Sequence, residues 1–286
     1  MISDAPVLGD CAPQGLPFRR VLGMRVDQID SCEASDRIMT LAAAADGSSR
    51  GSYVCAANVH MTMEAHDDHG FRAIVNGADL VLPDGQPMVW ALRALGAGQR
   101  HRVRMTPDLV IDVLAAAEAQ GVRLGLYGGT EATLGAFSDL LSEAYPGLTV
   151  VYAWSPPFRA LSPEEDRQVA AAIAGSRVQL LLVGIGCPKQ EKWMAAHVAP
   201  GPGDMPRALT CAMVGVGAAF DVFGGRTREA PHWTQGIGLE WLFRLACEPR
   251  RLWRRQLHAN PRFIALFLLQ LVGACARVRA GVRGAS

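Results

Sequence analysis

Residues 178–186 read VQLLLVGIG, a short apolar run closed by two glycines. A strand with one wet face alternates apolar and polar residues. Here no polar position interrupts Leu180 to Val183, so the strand has to be buried on both faces. Such strands belong to parallel sheets covered by helices on each side. Working outward, the same kind of run recurs in GSYVCAANVHM (51–61), ADLVLPDG (78–85), VRLGLYGG (122–129), LTVVYAWSPPF (148–158) and ALTCAMVGVGAAFDVFGG (208–225). Helical patterns separate these runs. MEAHDDHGFRAIVNGA (63–78) reads as one helix. TPDLVIDVLAAAEAQG (106–121) reads as another, with Thr106 as N-cap, Pro107 at the first helical position and Gly121 as the stop. TEATLGAFSDLLSEAYPG (130–147) and SPEEDRQVAAAIAGS (162–176, capped by Ser162) follow. Alternating strands and helices predict an α/β fold, a doubly wound, Rossmann-like and mostly parallel sheet that binds ligands at the carboxyl ends of its strands.

Three segments are expected: a loose, acidic, Pro-rich arm (1–17), the α/β domain (18–225) and an Arg-rich helical C-terminal appendage (226–286). With 50% hydrophobic and 19% charged residues among 286, the chain is globular rather than disordered. Its seven cysteines are scattered without a CxxC pair, which points to reduced thiols in a cytoplasm. The arm lacks the basic and apolar regions of a secretory leader. The net charge of +1 conceals an asymmetry. From Arg226 onward there are eleven Arg, no Lys and three acids, a surplus of +8, so residues 1–225 carry −7. A basic tail on an acidic body calls for an anionic partner, and Arg alone favours planar recognition of phosphate or carboxylate. Within the tail, the 14 residues from Phe263 to Ala276 are apolar apart from Gln270 and Gly273. A spanning helix needs about 20. The stretch therefore reads as a helix lying on an anionic membrane, flanked by Arg262, Arg277, Arg279 and Arg283, or else as a helix packed on the body or on another subunit.

Several stretches could carry chemistry. Pro83-Asp84-Gly85 ends a strand, and Asp84 suits either a turn or a catalytic carboxylate. Glycine turns follow three strands, in YGGTEAT (127–133), VGIGCPKQEKW (183–193) and VGVGAAFDVFGG (214–225); together they point to a nucleotide-type site with Gly128, Gly129 and Gly217 close to ligand. Neither a GxGxxG fingerprint nor a Walker pattern is present, so neither NAD nor ATP is indicated and no cofactor is expected. Gln190 places an amide at the mouth of such a site, whereas Glu191 is accounted for by the positive end of a helix. AHDDHG (65–70) has no helical spacing that converges on one ion, so it reads as a solvated face and no metal is expected. Patterns for acyl transfer or metallohydrolysis are missing.

In order and at natural spacing, the chain carries AANVHM, ADLVLPDGQPMVWALRALG, TPDLV, LGLYGGT, VGIGCPKQEKW, VGVGAAFDVFGGRTREAPHW and GLEWLFRLACEPRRLWRR. From about residue 20 to 257 this series resembles the bacterial WecG/TagA/CpsF glycosyltransferase family. The resemblance implies an inverting, metal-independent hexosyl transfer from a nucleotide-diphospho-sugar, such as a UDP-sugar, to a polyprenyl-diphosphate-linked sugar in surface or exopolysaccharide synthesis. It implies Asp84 as general base and Asn58 as a sugar or acceptor contact. Gln190 matches the PKQE element and Asp221 the GAAFD element as substrate contacts. Arg102 or Arg104 matches an arginine expected ahead of the DL helix, and the choice between them stays open. Arg228 and the tail arginines, among them Arg244, Arg251 and Arg254, are implied to hold the diphosphate. The family often has Thr at the position of Ala56, so a hydroxyl role there is lost or moved. An enzyme of this kind works at the inner face of the plasma membrane, peripherally attached, and a homo-oligomer is compatible with it. No nucleic acid is expected as partner, because Trp241, Phe243 and Trp253 interleave the arginines and a greasy helix follows. The rivals are a nucleotide-binding module whose basic tail binds nucleic acid, and an oxidoreductase.

Overall fold

The computed structural model describes residues 15–45, 50–98, 103–198, 209–226, 242–243 and 258–273. A short antiparallel hairpin, β1 (Phe18–Val21) and β2 (Met24–Asp27), opens the described chain and is followed by α1 (Ser31–Ala43). Then come β3 (Ser52–Ala57), α2 (Val59–Asp67), α3 (His69–Asn76), β4 (Leu80–Pro83) and α4 (Gln86–Ala94). A π-helical turn at Met105–Leu109 runs into α5 (Val110–Gln120). The remaining elements are β5 (Leu124–Gly128), α6 (Glu131–Ala144), β6 (Val150–Trp154), α7 (Pro163–Gly175), β7 (Leu180–Gly184), α8 (Lys189–Val198), β8 (Ala212–Gly215) and α9 (Ala219–Phe223). A last helix, α10, covers residues 258–273.

Six strands form one parallel sheet in the order β4-β3-β8-β7-β5-β6. Alternate residues of each central strand enter two separate cores. Leu181 and Val183 of β7 face the core with α2, α3, α7 and α8, whereas Leu180 and Leu182 face the core with α1, α5 and α6. That two-sided burial is why these strands are continuously apolar. From β5 the chain passes through α6 outward to β6, while from β7 it passes through α8 the opposite way to β8. With right-handed crossovers, α6 and α8 therefore lie on opposite faces, and the winding reverses between β5 and β7. The doubly wound reading of the sequence is what the chain adopts.

Local signals explain most helix ends. Thr130 and Ser162 each close a capping box, and Gly121 ends α5 in the left-handed region at φ 64°. Two expectations need correction. Residues 63–78 are not one helix: the chain breaks at Asp68, which leaves α2 extended and caps α3 through Phe71 N. Thr106 is not an N-cap either, because helical backbone already begins at Met105, after Arg104.

The hairpin is fixed to the sheet by a buried ion pair. Arg25 and Asp27 are 3% and 0% exposed, with Nε 3.0 Å from Oδ1. Asp27 also accepts from Val81 N at 2.8 Å, and Arg25 donates to Ala78 O at 2.6 Å, so each charge is also hydrogen-bonded to the backbone where β2 meets β4.

Candidate active site

Asp84 is the first residue beyond β4, at the carboxyl edge of the sheet. Its amide donates to Ala57 O at 2.8 Å and to Leu82 O at 2.9 Å, which ties the turn to the end of β3. Gly85, at φ 93°, then occupies the cap position of α4, in a region that an L side chain rarely adopts. No side chain caps α4. The carboxylate of Asp84 instead reaches across to residues 103–105, where Oδ1 accepts from Met105 N at 3.3 Å and the neighbouring Val103 N donates to Pro83 O at 3.0 Å. The turn is real, but the carboxylate does not serve it. It is half-buried, held from the side, and aimed along the carboxyl edge of the sheet.

Asn58 is brought beside it. Ala57 and Pro83 pair in register, so Asn58 and Asp84 leave adjacent strands at one level. Asn58 Oδ1 caps α2 by accepting from Met61 N at 3.0 Å, and no acceptor among the described residues meets its Nδ2. Val54 and Val214 pair in β3 and β8, which brings Gly217 level with Ala57 by the same register. Gly217 is left-handed at φ 56°, and no described residue lies within 4 Å of where a Cβ would stand. Asp221 follows on α9, with Arg226 Nη1 4.0 Å from its carboxylate. Arg104, 6% exposed, precedes Met105 and bonds Asp108 at 3.0 Å. Arg102, its alternative, lies outside the described residues, as do Arg228, Arg244, Arg251 and Arg254.

Gly128 and Gly129 serve the packing of the sheet. A Cβ at Gly128 would come within 2.5 Å of Gly184 O, and one at Gly129 within 2.9 Å of Phe220 Cβ. A Cβ at Gly184 would stand 2.2 Å from the Phe220 ring. These glycines let β5, β7 and α9 close on one another. Asp84, Asn58 and Gly217 stand just beyond the ends of β4, β3 and β8. A groove of about 370 Å³ between α6 and β6, lined by Glu131, Gly135, Ser138, Trp154 and Ser155, is at the opposite edge of the sheet and carries none of the candidate residues.

Gln190 is not at an open mouth. It is 3% exposed, and its Nε2 donates to Glu191 Oε1 at 2.7 Å. Glu191 is fully buried, so the favourable helix end does not account for it. Burial pushes its carboxyl above the usual range, while hydrogen bonds from Gln190 and Cys187 oppose this. Desolvation likewise raises the Cys187 and Cys55 thiols, which excludes thiolate chemistry there. Among the described residues, no three His, Cys, Asp or Glu side chains gather to hold a metal ion.

AHDDHG is more than a solvated face. Asp67 accepts both guanidinium nitrogens of Arg262 at 2.5 and 2.6 Å, and Asp68 pairs with Lys192 at 3.1 Å. Arg262 is thus engaged by the body and is not part of a membrane-facing flank. At the other end of α10, Gln270 accepts from Leu22 N at 2.8 Å and donates to Arg20 O at 2.7 Å. Between these anchors Phe263 and Phe267 enter the core that contains α2, α3 and α8. The opposite face exposes Ile264, Leu268, Leu269 and Val272, each more than half accessible. The helix docks on the body and still presents an apolar stripe. Both anchors escaped the sequence reading, although a Gln inside an apolar run was the signal for one. Among the described residues, no helix is long and apolar enough to cross a membrane.

Comparison with known proteins gives the setting. Two curated proteins named N-acetylglucosaminyldiphosphoundecaprenol N-acetyl-beta-D-mannosaminyltransferase are similar to the chain. The one from Bacillus spizizenii is 28% identical over 219 residues, covering 77% of this chain and 79% of the relative. The one from Bacillus subtilis is 27% identical over 210 residues, covering 72% and 75%. The family model described as "Glycosyl transferase WecG/TagA/CpsF family" matches residues 19–276, which include the Asp84 turn, the ends of β3 and β8, and α10. The chain belongs to the WecG/TagA/CpsF family of glycosyltransferases.

Proposed function

We propose that the protein transfers a hexosyl unit, with inversion, from a nucleotide-diphospho-sugar to a hydroxyl of a polyprenyl-diphosphate-linked sugar. The names of the two relatives favour N-acetylmannosamine as the sugar transferred and N-acetylglucosaminyl diphosphoundecaprenol as acceptor. The observation that carries this reading is Asp84: a half-buried carboxylate at the carboxyl edge of a parallel sheet, held by Met105 N and level with Asn58.

In this reading Asp84 takes the proton of the acceptor hydroxyl as its oxygen attacks the anomeric carbon. The bond from that carbon to the diphosphate breaks, and the nucleoside diphosphate leaves with the electron pair. Asn58 Nδ2 orients a sugar hydroxyl. Gly217 gives backbone access to the donor without a side chain in the way. Arg104 with Arg228, Arg244, Arg251 and Arg254 neutralises the leaving diphosphate, whose charge grows in the transition state. The exposed stripe of α10 rests on the anionic inner face of the plasma membrane, where a polyprenyl acceptor is found.

The test is a donor screen with a short-chain polyprenyl-diphosphate-sugar acceptor, detecting released nucleoside diphosphate, run beside Asp84→Asn. Acceptor-dependent release that survives chelator and falls by about a hundredfold or more in the variant supports the reading. Release unchanged by the substitution removes Asp84 from the chemistry. If folded protein releases nothing from any donor, transfer itself is refuted.

A further inference from the structure

Gln190 and Glu191 form a buried pair that the transfer chemistry leaves unused. Gln190 lies against β8, where a Cβ at Gly215 would stand 2.9 Å from its Nε2. Glu191 lies near Cys55 of β3 and receives the Cys187 thiol. The pair is therefore wedged behind the two strands that end at Asn58 and Gly217. It also closes the β7–α8 turn, with Gln190 N donating to Gly186 O at 3.0 Å.

One hydrogen bond joins the two side chains, from Gln190 Nε2 to Glu191 Oε1. The atoms left over, Gln190 Oε1 and Glu191 Oε2, are both buried and both without a partner. As a carboxylate, Glu191 could take the Cys187 thiol, but Gln190 Oε1 would keep no donor, and no cation is among the influences on Glu191. A neutral acid removes the conflict. A carboxylic acid and a primary amide can form two parallel hydrogen bonds, N–H to carbonyl and O–H to carbonyl, and the leftover atoms are the ones the second bond requires.

We propose that Glu191 is a positioning residue that acts as a neutral acid, pairing twice with the Gln190 amide and so fixing the β7–α8 turn beside the donor. The inference rests on the transfer reading for its last step only. The groups facing Glu191 are consistent with the neutral form. Cys187 of the turn and Cys55 of β3 are thiols raised by burial, Glu64 of α2 lies beyond Cys187, and Arg25, Asp27 and Asp79 lie beyond Cys55. Lys192, next on α8, is turned outward to Asp68.

The experiment compares the wild type with Glu191→Gln and Glu191→Leu across the pH range in which the fold is intact. Glu191→Gln keeps an amide–amide pair that needs no titrating proton. Glu191→Leu fills the space without pairing. We expect Glu191→Leu to lower kcat/KM for the donor by about tenfold and Glu191→Gln to restore most of it. We expect the wild type to lose activity as Glu191 ionises and the Gln variant to lack that alkaline limb. Independently of transfer, the infrared difference between wild type and Glu191→Gln at neutral pH should contain the carbonyl band of a protonated carboxylic acid. A missing band, an alkaline limb that survives in the Gln variant, or a Leu variant as active as wild type each overturns the proposal. If the wild type transfers nothing while the band is present, the transfer reading fails and the acid–amide pair stands.

Discussion

Replacing Leu268 and Leu269 with Gln is the perturbation that most directly tests what α10 is for. Both lie on the face turned away from the body, 56% and 68% exposed, while Phe263 and Phe267 hold the helix from the other side. Fully burying a leucine is worth roughly 1.5–3 kcal/mol. Scaled to the exposed fraction, each residue contributes about 1–2 kcal/mol to insertion, and the pair about 2–4 kcal/mol. At 1.4 kcal/mol per factor of ten, the partition coefficient falls by about 30- to 700-fold if the stripe inserts completely. Half insertion halves the energy, so about fivefold is the smallest loss the reading allows.

The assay is co-sedimentation with vesicles containing anionic lipid, at low and high salt. Salt separates the contributions, because arginine attraction is screened and apolar insertion is not. The double variant should therefore lose binding at both salt concentrations and unfold at an unchanged temperature. Unaltered binding at high salt would show that the stripe is not what meets the lipid. Loss of binding together with a lowered unfolding temperature would mean that the leucines hold the helix in place, and the docked geometry would be wrong.

Other outcomes can be checked in parallel. Asp27→Ala leaves Arg25 buried without its counterion and should cost about 3 kcal/mol by urea unfolding, at the low end for such pairs because Asn76 O and Ala78 O still receive the guanidinium. Gly184→Ala should destabilise strongly, since its Cβ would lie 2.2 Å from the Phe220 ring; Gly217→Ala meets no described residue within 4 Å and should cost only about 1 kcal/mol of backbone strain while raising KM for the donor. Burial raises the Glu191 pKa above its unfolded value of about 4.3, so its stabilising contribution is complete below that value and lost as pH rises through the folded one. The wild-type unfolding temperature should accordingly decline toward alkaline pH more steeply than that of Glu191→Gln.

The sheet was legible because burial on both faces leaves a mark in every strand but the partly covered edge strand β6, and each of the runs read outward from VQLLLVGIG is a strand. Helix ends were legible where a side chain caps them, at Thr130 and Ser162. They were not legible at Asp68 or Met105. At Asp68 the cap to Phe71 N lies inside what reads as one continuous helical pattern, and at Met105 no side chain caps the start. The glycine turns show the limit most clearly. Gly128, Gly129 and Gly217 all follow strands and all have positive φ, so their local sequences look alike. Only the tertiary fold shows that Gly184 and Phe220 fill the space at the first two, whereas no described residue does so at the third. Gln190 and Glu191 mislead for a related reason. The start of α8 faces the core at both residues, so polar side chains that read as surface or ligand groups are interior ones that have to satisfy each other.

Why α10 should be apolar nearly all round follows from the same geometry. A helix that only docks on the body needs one apolar face, and a helix that only rests on a membrane needs the other. The two phenylalanines account for the first, and Ile264, Leu268, Leu269 and Val272 remain for the second. What decides between a presented stripe and one rolled inward is the rotation of the helix, and apolar contacts alone fix rotation poorly. Polar anchors do it here: Arg262 against Asp67 at one end and Gln270 against the Arg20–Leu22 turn at the other. The Arg262 pair is exposed and screened by solvent, whereas Gln270 meets two backbone groups at about 1 kcal/mol each. Gln270→Leu should therefore weaken vesicle binding more than Arg262→Gln. It would do so although it makes the helix more apolar. Stronger binding by Gln270→Leu would mean that hydrophobicity alone, without a fixed rotation, brings the helix to the lipid.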